Sequence, residues 1–212
     1  MTTANTLAER LRADTHSQHK AAESRQFITD LMGGELTLPD YVSYLAQLAY
    51  VYQALEARAA SVDQPAFLSD TRLNRFDSIL ADLQALGVND WKGEHPALPE
   101  TVAYVERIET IPADNYPRFL AHHYTRYLGD LSGGQAIAAM VQRHYGATDE
   151  QLTFYRFADI DKPVNYKREY RENLDGLDLT PSQVDEVIDE SRATYALNSA
   201  LFDALAQRVA SS

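Results

Sequence analysis

From Arg118 to Tyr145 the chain keeps the three-to-four-residue apolar spacing of an α-helix, interrupted only by Gly-Asp-Leu-Ser-Gly-Gly at residues 129–134. Glycine inside a helix costs about 1 kcal/mol relative to alanine, so Gly129, Gly133 and Gly134 between two strongly helical stretches need an offsetting gain. Gly129 and Gly133 stand one turn apart on one face and bare a strip of backbone that a flat object or another helix can approach closely. Spacing alone leaves two readings open. One is a kink or tight helix crossing; the other is a floor for a planar ligand.

The rest of the chain is also helical in pattern. Leu7, Leu11, Phe27, Ile28 and Leu31 are spaced for a first helix from about Ala4 to Leu31, closed by Gly33-Gly34. A second opens at Thr37-Leu38-Pro39-Asp40 and runs to about Ala60. Asp70-Thr71 begins a third, carrying Leu73, Phe76, Ile79, Leu80 and Leu83 and stopping at Gly87. Pro96 and Pro99 bracket the entry to a shorter helix. After the long glycine-bearing stretch come helices at about Gln151–Phe157 and Val164–Leu174, and one opened by the Thr180–Gln183 capping box that runs to about Val209. No alternating strand pattern or repeat competes with these. The expectation is an all-α helical bundle, residues 1–212 forming a single domain, long enough to bury around 70% of its unfolded surface.

Several chemistries are excluded. The word LSGGQ at Leu131–Gln135 looks like the signature of transporter ATPases, but none of the nine glycines is followed by lysine, so the phosphate-cradling loop those enzymes need is missing. With no cysteine there is no disulfide, thiolate metal site or cysteine nucleophile, a usage compatible with a reducing cytoplasm. Acidic residues outnumber basic ones by 31 to 19, a net charge of −12 that argues against nucleic-acid or anionic-membrane binding and suits basic partners. The longest uncharged run at the aromatic stretch, Tyr41–Leu55, is shorter than the ~20 residues a bilayer requires. Neither end carries a targeting signal or membrane anchor pattern, so a cytoplasmic location is expected.

A planar metal-bearing ligand wants a histidine, and there are six: His16, His19, His95, His122, His123 and His144. His19 has the most informative surroundings. Glu23 follows it by one turn, placed to accept a hydrogen bond from the second ring nitrogen, and Arg12 falls on nearly the same face. His16 has Lys20 at the corresponding position, which offers no acceptor. An ordinary surface histidine paired with Glu23 fits the same spacing.

Ala121–Gln135, AHHYTRYLGDLSGGQ, closely resembles the signature of the haem oxygenases. Thr15, His19, Ala22 and Glu23 match that family's pattern around its proximal histidine, and Val51–Glu56, Tyr166–Arg171 and Asn198 with Leu201-Phe202 agree further, in family order. The resemblance spans nearly the whole chain, and it makes the ATPase word accidental. It implies that His19 is the axial iron ligand and Glu23 its hydrogen-bond partner. By the same resemblance, Gly129 and Gly133 would let the distal helix lie close over the macrocycle, with Ser132 beside them. Asp130 would hold an ordered water that donates to iron-bound oxygen, Arg126 would fix that network, and Tyr52 and Asn198 would extend it. Arg12, Tyr124, Lys167 and Arg171 match positions that meet the propionates. Taken singly, Arg126 and Asp130 could be a surface i,i+4 pair and the basic residues could merely solvate helices.

The implied activity is reductive, O2-dependent cleavage of haem b, which is both substrate and cofactor. A ferric hydroperoxide attacks the porphyrin meso carbon, and biliverdin, carbon monoxide and ferrous iron follow, the resemblance favouring the α isomer. Electrons must come from an external donor, a reductase or ferredoxin, because no flavin or iron–sulfur motif is present; Arg12, Lys167, Arg168 and Arg171 are the basic residues available for docking. A monomer is expected. The chief alternative is a haem-binding carrier or sensor without turnover, which the presence of Asp130 disfavours. A di-iron relative lacks support because no Glu-x-x-His pair occurs. His122 and His123 add histidine beside the distal helix without obviously blocking haem.

Overall fold

In a computed structural model, which describes residues 6–60 and 65–211, the protein is all-helical, with no strand among those residues. The expected first helix is three. They are α1 (Leu7–Asp14), α2 (His16–Glu23) and α3 (Gln26–Gly33); the expected start at Ala4 lies outside the described residues. Thr15 breaks the first join, with φ −112° and ψ 2°, and its hydroxyl donates to the Leu11 carbonyl at 2.6 Å. Arg25 breaks the second by taking an extended backbone, ψ 143°. No proline or glycine lies between residues 4 and 31, so neither break is marked by a helix-breaking residue, although Phe27, Ile28 and Leu31 fall on a different helical face from Leu7 and Leu11. The consequence is local: α2, which carries His19, is a separate two-turn segment with its own axis.

The other long elements follow the expected order. α4 (Leu38–Ala60) is a central helix whose Tyr41, Leu45, Leu48, Val51, Tyr52 and Leu55 are fully buried. Next are α5 (Phe76–Ala85), the short α6 (Trp91–Glu94), α7 (Pro99–Glu109) and α8 (Tyr116–His123). A π-helical turn, Tyr124–Leu128, joins α8 to α9 (Gly129–Tyr145). α10 (Pro163–Asp175) and α11 (Pro181–Ala210) complete the fold. α11 packs on α8, α2, α7 and α3, while α4 lies against α5 and α7. Each large side chain buried there contributes roughly 1.5–3 kcal/mol relative to exposure.

Two expected helices are corrected. The one from Asp70-Thr71 begins with a 3-10 turn, Thr71–Leu73, and the α-helix starts only at Phe76, where Glu56 of α4 accepts from the Arg75 and Phe76 amides at 2.5 and 2.9 Å. Gln151–Phe157 is not an α-helix but two 3-10 turns, Asp149–Gln151 and Thr153–Tyr155. There the buried Asp82 of α5 captures the Thr153 and Phe154 amides, both at 2.8 Å, so a distant carboxylate takes donors that a helix would use.

Candidate active site

α2 and α9 face each other across a cleft of about 840 Å³. His19 and Glu23 line one wall; Gly129, Ser132 and Gly133 line the other. Arg12 of α1, Tyr124 of the π turn and Arg171 of α10 lie on the same lining. A smaller cavity of about 150 Å³ shares His19, Glu23, Gly129 and Gly133 with the cleft and continues to Arg126, Asp130 and Asn198. The local fold explains the arrangement: Thr15 turns α2 away from α1, and the π turn inserts an extra residue just ahead of the glycines. Such turns are rare and concentrate at functional sites.

The glycines divide by role. A Cβ added at Gly129 or Gly133 meets nothing within 4 Å, because it projects into the open cleft. A Cβ at Gly134 comes within 3.0 Å of Tyr155 Cδ1. The glycines thus differ: Gly134 permits close packing against Tyr155, while Gly129 and Gly133 leave a flat strip free beside the cleft.

His19 is half-exposed, with Nδ1 3.4 Å from Glu23 Oε2. This fixes one ring nitrogen toward the carboxylate and leaves Nε2 as the candidate metal-binding atom. The ring also meets Tyr195 of α11 edge-on, centroids 5.7 Å apart and planes at 84°. Tyr195 lines both cavities and was missed by sequence reasoning, although it precedes Asn198 by three residues on one face of α11. Thr125, whose buried hydroxyl has no partner, lines both cavities as well.

Asp130, Arg126, Tyr52 and Asn198 form one connected group. Tyr52 donates to Asp130 Oδ2. Arg126 donates to the Tyr52 hydroxyl through Nε at 3.2 Å and Nη2 at 3.1 Å, and to Asn198 Oδ1 through Nη1 at 3.0 Å. Arg126 Nη2 is also 3.6 Å from Asp130 Oδ1. The surface-pair reading of Arg126 and Asp130 is thereby corrected: their side chains are only 9% and 12% exposed, where charges interact through little water. Burial pushes the Asp130 carboxyl up, against the pull of Arg126 and the Tyr52 hydroxyl. Burial also pushes Tyr52 well up, so its phenol stays a proton donor. The result is a carboxyl with a raised proton affinity at the rim of a cavity, held in place by a buried cation.

The basic residues are less evenly placed. Arg12 and Arg171 are on the cleft wall, and Tyr124 has its hydroxyl pushed up by burial, with Arg171 and Arg12 opposing. Lys167 lines neither cavity; its ammonium donates to the Leu131 carbonyl at 3.3 Å and to Ser132 Oγ at 3.2 Å, so it stands beside the rim. Tyr52 lines neither cavity and reaches the site through Asp130.

A flat iron-bearing macrocycle fits these features: a histidine opposite a side-chain-free strip, guanidinium groups on the wall, and a buried carboxyl of raised proton affinity. The family comparison agrees, since the profile described as "Heme oxygenase" matches residues 5–204. The chain belongs to the haem oxygenase family. It is 33% identical over 202 residues to heme oxygenase 1 of Synechocystis sp., covering 94% of this chain and 84% of that protein. It is 35% identical over 205 residues to the heme oxygenase of Porphyra purpurea, covering 95% and 87% of the two chains. The crystal structure of Synechocystis heme oxygenase-1 in complex with heme superimposes with a TM-score of 0.92 at 31% identity, over 98% of this chain and 95% of that one. As a haem oxygenase family member the chain is a haem-degrading oxidoreductase. Among the described residues no helix is long and apolar enough to cross a membrane.

Proposed function

We propose that this haem oxygenase cleaves haem b with O2 and reducing equivalents to biliverdin, carbon monoxide and ferrous iron, opening the ring at the α-meso edge. Bound haem supplies the iron at which oxygen is activated and the ring that is oxidised. His19 holds the iron through Nε2, and Glu23 fixes the imidazole's orientation. Gly129 and Gly133 keep side-chain acids away from the oxygen-binding face. Asp130, at the cavity wall, would hold an ordered water that passes protons on without direct contact; Tyr52 and Arg126 keep its carboxyl in place, and Asn198 holds Arg126. Arg12, Tyr124 and Arg171 receive the propionates, joined by Lys167 once its ammonium leaves Ser132, while Ser132 borders the floor.

The observation that carries this reading is the placement of a buried carboxyl with raised proton affinity beside a strip where an added Cβ meets nothing, across from His19. Such a strip would keep side-chain acids from the face where bound haem would activate oxygen, a setting that would disfavour O–O cleavage and favour attack on the ring. Electrons come from an external reductase or ferredoxin, docking at the exposed Arg12, Arg168 and Arg171 beside Lys167, and the enzyme works as a cytoplasmic monomer. The test is an optical titration with hemin followed by reductant and oxygen. A one-to-one complex converted to biliverdin with release of carbon monoxide is expected; a stable complex that is never degraded identifies a carrier or sensor instead.

A further inference from the structure

His123 has no place in the site as assigned, yet it is buried at the end of α8, one residue before the π turn. Its ring stacks on Tyr170 of α10, centroids 5.7 Å apart and planes within 9°, with Nδ1 2.8 Å from the Tyr170 hydroxyl. Its edge meets Tyr127 at 4.6 Å, and Tyr127 in turn packs on Tyr52 at 5.8 Å. Burial pulls the imidazole's pKa down to about 3, so the ring is neutral near pH 7 and Nδ1 can accept the phenolic hydrogen bond.

Tyr170 is the middle of three buried residues one turn apart along α10, Tyr166, Tyr170 and Leu174. It directly precedes Arg171 and follows Lys167 by three residues, so a shift of Tyr170 along the helix carries both cations with it. α10 is also tied to α9 by the Lys167 bonds to Leu131 and Ser132, but these are long and near the surface, and the ammonium gives them up when it turns to a carboxylate. The His123–Tyr170 bond is buried and does not depend on the ligand. One imidazole thus touches both the helix that carries the basic groups and the aromatic pair that backs Asp130.

We infer that His123 is a positioning residue: through Tyr170 it sets where Lys167 and Arg171 stand relative to the distal helix, and so fixes the in-plane rotation of the tetrapyrrole and the meso edge offered for oxidation. The inference rests on the haem oxygenase reading above.

The test compares the parent with Tyr170→Phe, His123→Leu and His123→Asn, each loaded with hemin. In-plane seating is read from the haem-methyl proton shifts of the ferric complex, and regiochemistry from the biliverdin isomer ratio after reductant and oxygen. Tyr170→Phe keeps the stacked ring and loses only the hydrogen bond, so a second seating is expected to rise about fivefold, with a matching rise in the second isomer. His123→Leu is expected to do the same, while His123→Asn, whose amide oxygen can replace Nδ1 as acceptor, should stay nearer the parent ratio. Lowered thermal midpoints with unchanged seating and isomer ratios would make the pair merely structural and overturn the inference, leaving the enzyme reading intact. A parent protein that takes up no hemin overturns the reading itself and the inference with it.

Discussion

At the scale of single residues, the proposed function divides the chemistry between His19 on the cleft wall and Asp130 in the smaller adjoining cavity. The His19 ring has Glu23 on one nitrogen and Tyr195 against its edge, so Nε2 is the nitrogen left open, the one the proposal gives to iron. His19→Ala is expected to bind hemin weakly and to lose the imidazole-ligated ferric spectrum, with added free imidazole restoring it; an unaltered axial signature would show that another group is the ligand. Asp130 carries a different burden, since its carboxyl is held by Tyr52 and Arg126 whether or not a ligand is bound. Asp130→Ala should therefore bind hemin within a few-fold of the parent while biliverdin formation falls about a hundredfold or more, the range for a positioned proton-transfer group. Single-turnover product analysis decides this, and biliverdin at the parent rate would remove Asp130 from the proton path. The place of both residues beside the cavities was legible in the sequence: the His19–Glu23 spacing is local, and Asp130 sits inside a long, specific motif. Tyr195 was not, because its role depends on α11 crossing α2, which no local pattern records.

Among the elements, the helices that were easiest to read are those whose caps and periodicity agree, such as α4 and α11; α11 begins at the Thr180 capping box as expected. The failures come from contacts between elements. Asp82 makes 3-10 turns of an apparent helix, and Thr15 and Arg25 divide a run that contains no proline or glycine to mark either break. The π turn before Gly129 has no signal in local composition either. Within α9 the glycines offer a test that separates ligand from packing. Gly133→Ala adds a methyl that meets nothing, so it should gain about 1 kcal/mol of stability from helix propensity while weakening hemin affinity. Gly134→Ala places the methyl 3.0 Å from Tyr155 Cδ1, so that gain should be offset, with hemin binding little changed. Urea denaturation and hemin titration of both variants check this; equal effects at the two positions would show that the exposed strip does not serve the ligand.

For the molecule as a whole, acid is where opposing electrostatic effects meet. The net charge of −12 is relieved as pH falls, which favours the compact state, but that repulsion is spread over the surface and screened by salt. Buried groups act the other way: burial also lowers His122 and the half-buried His95, in the same sense as His123. Burial holds His123 down to about pKa 3, whereas in the unfolded chain it titrates near 6.5. Between those values the unfolded state binds the proton and the native state does not, so stability rises with pH and is lost as pH falls below about 6.5, at up to about 1.4 kcal/mol per pH unit. Burial pushes Glu190 up, but hydrogen bonds from His122, Arg107 and Arg118 outweigh it and hold the carboxyl well below its usual range. Its contribution is present above the ordinary carboxylate range and lost further down. Asp82, Asp130 and Glu56, whose carboxyls burial pushes up, work in the opposite sense, so the His123 contribution is read by comparing slopes between about pH 5 and 6.5, where those carboxyls act alike in parent and variant. In moderate salt, urea unfolding across that window should show stability declining with acid for the parent. His123→Phe, which keeps an aromatic ring beside Tyr170, should lose close to one proton's worth of that slope. Parallel slopes for the two proteins would mean that His123 takes up its proton without unfolding, and that the contact between α8 and α10 is open to water.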